Sequence, residues 1–173
     1  MNIREEILQE HSKTQAMKIA EYACASPKNF RELMACYMDK EYRLAQRAAW
    51  SVSWAARKRP EMVRPYLTAI VQQMQRSDVH DAVKRNAVRI LENIDIPEKL
   101  HGEVMNACFG FLEDPATAVA IKAFSLTTLF NLSKRYPDIR SELKLLIEAN
   151  WENETAAFKS RGRKILAALN LKI

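Results

Sequence analysis

A small residue recurs along this chain at nearly constant intervals, and nothing else in the sequence limits the fold as strongly. Ala16, Ala49, Ala87, Ala123 and Gly162 are 33, 38, 36 and 39 residues apart. Three residues after each comes an aliphatic: Ile19, Val52, Ile90, Leu126 and Ile165. A second ruler runs in step with the first. Pro27, Pro60, Pro97 and Pro137 are spaced by 33, 37 and 40, and the distance from an anchor to the next of these prolines is 11, 11, 10 and 14 residues. Self-similarity at this period marks stacked supersecondary units, each too small to bury its own apolar face.

Local chemistry says what the unit is. Proline fits the first turn of a helix, where its missing N–H costs nothing. In three of the four cases an acidic residue follows directly (Glu61, Glu98, Asp138), where it meets the positive end of the helix dipole. Each proline therefore starts a first helix. The element before it is a second helix, as in Val83-Lys84-Arg85-Asn86-Ala87-Val88-Arg89-Ile90. Its apolar residues at i, i+4 and i+7 share one face. Ala45–Val52, Val119–Leu126, Phe158–Ile165 and, more weakly, Ser12–Ile19 match it. Asp39, Asp78 or Asp81, Asp114 with Pro115, and Asn153 fall in the turns between first and second helices. They are expected to act there as N-caps. With 3 Gly and 6 Pro in 173 residues, the chain reads as all-α.

Proline at the first helix, Asp in the turn and Val83-Lys84-Arg85-Asn86-Ala87 in the second helix together resemble the HEAT repeat. The resemblance implies a right-handed α-α superhelix, a solenoid. It would form one domain over residues 1–173: a capping half-repeat at 1–26, then hairpins at 27–59, 60–96, 97–136 and 137–173. It also implies that second helices line a concave face. One register on from the core lie Arg47, Ser51 and Trp54; Arg85, Arg89 and Glu92; Ile121, Ser125 and Thr128; Ser160, Lys164 and Ala167. Lys84, Lys122, Lys159, Arg161 and Arg163 surround them. The expected binding residues are Arg47, Trp54, Lys84, Arg85, Arg89, Lys122, Arg161 and Lys164, which form a basic face. The alternative is an ordinary solvated face with i, i+4 pairing to Glu and Asp.

Two tryptophans stand one turn apart on the same helix. Trp50 aligns with Val88 and Phe124 and is expected in the core. Trp54 aligns with Glu92, Thr128 and Ala167, so its position has no apolar requirement. Beside Arg47, Arg57 and Arg59 it would anchor a partner or stack on a base, or pack on the N-terminal cap. Trp151 is expected to close a hydrophobic end.

Nothing in the sequence reads as an active site. His11, His80 and His101 fall in different units without metal-like or nucleophile-like spacing. No phosphate-cradling Gly loop, G-x-S-x-G or H-E-x-x-H occurs. The HEAT-like alkylpurine DNA glycosylases are a more distant resemblance, with a basic concave face and a Trp-Asp pair at their active site. Here Trp50, Trp54 and Trp151 are followed by Ser, Ala and Glu, so that pair is missing. No catalytic residue, metal or cofactor is expected. Cys24, Cys36 and Cys108 read as reduced, buried thiols. The segment MNIREEILQEHSK lacks the apolar core of a signal peptide, and no stretch is apolar enough to span a membrane. A cytoplasmic location is expected.

The net charge of +6 permits binding to nucleic acid or to acidic proteins and demands neither. The functional reading is a non-catalytic interaction module that binds a protein with an acidic surface. Nucleic acid is the alternative partner, and no small-molecule substrate is evident. Leu166, Leu169, Leu171 and Ile173 leave end-to-end association open.

Overall fold

The computed structural model describes residues 1–170, and no strand occurs among them. Leu171 and Ile173 lie outside the described residues. The chain divides into two compact units, Met1–Asp95 and Ile96 onward, described separately below.

The first unit begins with α1 (Ile3–Gln9) and α2 (Lys13–Ala23), followed by the hairpin of α3 (Pro27–Tyr37) and α4 (Tyr42–Lys58). The next first helix is broken. α5 (Pro60–Val63) runs into a 3-10 turn, Arg64–Tyr66, before α6 (Leu67–Gln75). Pro65 is the cause, because it offers no N–H to the helical ladder. α7 (Asp81–Leu91) completes the unit. Helix α4 is its centre and packs on α1, α2, α3 and α7.

The second unit contains α8 (Glu98–Glu113), α9 (Val119–Leu132), a 3-10 turn at Pro137–Ile139, α10 (Arg140–Asn150) and α11 (Ala156–Asn170). Helix α9 packs on α8, α10 and α11. Each unit is thus a stack of antiparallel helical hairpins.

The repeating anchors are the core of both units. Ala16, Ala49, Ala87, Ala123 and Gly162 are buried, as are Ile19, Val52, Ile90, Leu126 and Ile165. Gly162 shows why the anchor stays small. A Cβ there would lie 3.0 Å from both Ile147 Cγ2 and Trp151 Cζ3, closer than carbon atoms comfortably pack. Trp151, expected to close a hydrophobic end, therefore lies against α11.

The turn residues correct one expectation. Ser12 and Ser26 cap α2 and α3 by accepting from the N–H of Gln15 and Asn29. Asp39 and Asp114 do not cap helices. Each accepts from the N–H two residues on, Glu41 at 2.8 Å and Ala116 at 2.8 Å. These are Asx turns that set the loop ahead of the helix. Helix α7 is capped by His80, whose Nδ1 accepts from Ala82 N–H at 3.0 Å. Thr155, not Asn153, stands at the start of α11 and accepts from Phe158 N–H.

Tyr37 is fully buried, and among the described residues its hydroxyl has no hydrogen-bond partner. Burial pushes its phenol pKa up. Tyr37→Phe removes a desolvated hydroxyl without breaking a bond. The variant is expected to match or exceed wild-type stability by up to about 1 kcal/mol. A shift of the urea midpoint at constant slope reads this directly, and a loss of stability would show that the hydroxyl has a partner.

All three thiols are free and buried. Burial raises the pKa of each, that of Cys108 to about 12.

Candidate functional site

Helices α2, α4 and α7 are the three second helices of the first unit, with α4 between the other two. Lys13 of α2 approaches Trp54, and Glu21 pairs with Lys58 at 2.6 Å. Both numbers rise together, so α2 and α4 run in the same direction. The outer stripe of α4 carries Arg47, Trp50, Trp54 and Arg57; none of these is buried, and Arg57 is exposed.

Trp54 gathers charge. Lys13 Nζ lies 5.4 Å from its ring centroid, Arg57 Cζ 5.4 Å and Arg89 Cζ 5.3 Å. Each is within cation–π range, and each comes from a different helix. Among the described residues, none of Lys13, Arg57, Arg85 and Arg89 forms an ion pair. Their neighbours do: Lys18 pairs with Glu6, Lys58 with Glu21 and Arg59 with Glu61. Burial, and then the positive charge of Arg57, lower the pKa of Arg89; Glu92 opposes them. Positive charge is therefore in excess around one indole, with Glu92 offsetting part of it. The indole N–H is itself buried without an acceptor.

The expected binding residues fall in different environments. Trp54, Arg85 and Arg89 share the α4–α7 surface; Arg85 is exposed, and Lys84 beside it is half-buried. Arg47 is tied to the fold. Its guanidinium donates to the carbonyls of Leu8 at 2.8 Å and Ile7 at 3.3 Å, closing the C-terminal end of α1, where a cation also meets the negative end of the helix dipole.

Lys122 is a correction. Its side chain is 4% exposed and pairs at 2.8 Å with Glu154, 7% exposed. It faces the interior of the second unit and reaches no surface. Ile121, Ser125 and Thr128 are buried too, as is Ser51, so the outer stripe of α9 runs one residue earlier, through the half-buried Ala120, Phe124 and Thr127. Arg161 of α11 reaches over that stripe, with Cζ 4.9 Å from the Phe124 ring and Nη1 2.5 Å from Thr127 Oγ1. Lys164 is exposed on α11.

Trp50 also departs from expectation. It is half-exposed and stacks obliquely on His11, with ring centroids 5.4 Å apart. Desolvation, then the charges of Arg47 and Arg85, lower the His11 pKa. Lys13 and Arg57 are members of the Trp54 cluster that the list of expected binding residues lacks. Lys13 occupies the same repeat position as Lys84, which was the available signal.

His80 and His101 are structural. His101 is buried between Tyr136 Oη at 3.0 Å and the Ile96 carbonyl at 2.7 Å. No group of three or more His, Cys, Asp or Glu able to hold a metal occurs among the described residues.

A family model described as HEAT repeat domain matches residues 3–169. The chain belongs to the HEAT repeat family. No curated protein and no solved structure matches it significantly. HEAT repeats generally mediate protein interactions, and the family is typically non-catalytic. The all-α HEAT-like fold agrees with the hairpins described above. No helix among the described residues is long and apolar enough to cross a membrane.

Proposed function

We propose that this HEAT repeat protein is a non-catalytic interaction module that holds an acidic segment of a partner protein on the α2–α4–α7 face. One observation carries the reading: cations from three helices converge on Trp54, none of them in an ion pair among the described residues, while Lys18, Lys58 and Arg59 nearby are all paired. Like charges held together this way raise the local potential and favour an anion. Arginine adds fork-shaped donors that fit carboxylates. The partly exposed indole holds these cations together on one surface.

The test is an anisotropy titration of a labelled Glu-rich peptide and of labelled duplex DNA, between about 50 and about 200 mM salt. Wild type is compared with Arg85→Glu/Arg89→Glu. The peptide is expected to bind wild type, and the charge-reversed variant to lose about 100-fold, within the range of a few kcal/mol for charged contacts. Duplex DNA that binds more tightly, with a salt slope of about 0.9 per phosphate contact, would overturn the reading in favour of nucleic acid.

A further inference from the structure

The geometry points to a single dianionic phosphomonoester, carried on the partner segment, as the ligand of the Trp54 cluster. The inference rests on the protein-partner reading above and narrows it.

The cluster is compact. Three cationic centres lie within 5.4 Å of one ring centroid, so no two are more than about 11 Å apart, a span that long, mobile Lys and Arg side chains can close around one group. Two guanidinium forks and one ammonium supply many N–H donors and no acceptor. A phosphomonoester carries about −1.5 to −2 at pH 7 and offers three strong acceptor oxygens. A carboxylate brings one charge and two oxygens, so it leaves more of this cluster unmatched.

A nucleic acid fits less well for two reasons. Its phosphodiesters carry one charge each and need a basic track. Here the cations that would extend a track along α2 and α4 are committed, Lys18 to Glu6 and Lys58 to Glu21. Stacking bases would also need an open aromatic face, and cations already crowd the indole. Trp54 serves instead as the template on which the three cations are held. Arg85, one turn before Arg89 and exposed, stands ready as a fourth donor.

The test compares three short peptides, identical except for phosphoserine, Glu or Ser at one central position. Each is titrated into isotopically labelled protein at fixed pH 7.5, and the Trp54 indole N–H resonance is followed, which reads even weak affinities. The phosphoserine peptide is expected to bind at least about tenfold more tightly than the Glu peptide, because charge-assisted bonds multiply with acceptor number. The conservative variant Arg57→Gln/Arg89→Gln should lose this preference while keeping its thermal unfolding midpoint. Equal affinity for phosphoserine and Glu would overturn the inference and leave the acidic-segment reading standing. Single-stranded or duplex DNA binding more tightly than either peptide would overturn both, as would no binding of any anion.

Discussion

Lys122→Ala is expected to destabilise the protein by about 3–5 kcal/mol, because it strands the Glu154 carboxylate in the interior of the second unit. The ammonium and carboxylate are 2.8 Å apart, with side chains 4% and 7% exposed. A buried pair of this kind gains little net stability from its own attraction, since both ions lose their water. Deleting one partner is different, since the remaining charge has neither water nor counter-ion. The double variant Lys122→Met/Glu154→Leu should therefore recover most of the loss. Urea unfolding of wild type, the two single variants and the double variant closes the cycle. A single-variant loss below about 1 kcal/mol would mean that the pair behaves like a solvated surface pair.

Phe30→Ala should cost a similar amount, about 3–5 kcal/mol, in the first unit. Phe30 is buried on α3, and its ring lies 5.7 Å from that of Tyr66 at an interplanar angle of 44°. Truncation loses the transfer energy of the ring and opens a cavity between α3 and the 3-10 turn at Arg64–Tyr66. The aromatic pair adds about 0.5–1.5 kcal/mol to the loss. Phe30→Leu keeps most of the volume and should cost no more than about 1.5 kcal/mol plus the pair. Against a typical total of about 5–15 kcal/mol, the alanine variant should unfold roughly 10 °C lower. Equal midpoints for Ala and Leu would show that the site collapses around the smaller side chain.

Much of this architecture is legible in the sequence because two independent periodicities agree. Helix α3 starts at Pro27, α5 starts at Pro60, Pro97 directly precedes α8, and the turn before α10 starts at Pro137. Capping was less legible. An acidic residue in a turn can close the loop or cap the helix, and two residues of sequence separate the outcomes. Asp39 and Asp114 do the former.

The site was legible in part. Trp54, Arg85 and Arg89 are legible because they stand one register away from the core positions, where the repeats set no apolar requirement. Lys122 was misplaced, although the alignment carried a warning. It stands one residue before the small anchor, where the first two repeats have Ala48 and Asn86, both buried. A charge at an inward position needs a buried partner, and Glu154 comes from 32 residues away, beyond any helical spacing rule. Arg47 shows the opposite limit. Its position is right for the face, but the carbonyls at the end of α1 claim its guanidinium.

The Trp54 cluster takes one cation from each of three successive second helices. No single hairpin contains it. It arises only when α2, α4 and α7 have docked side by side in register, long after each helix could form alone. During synthesis the site cannot exist until the chain has emerged through α7, so competence to bind reports a completed stack. An insertion that displaced one repeat by a single helical turn would leave every hairpin intact and erase the site.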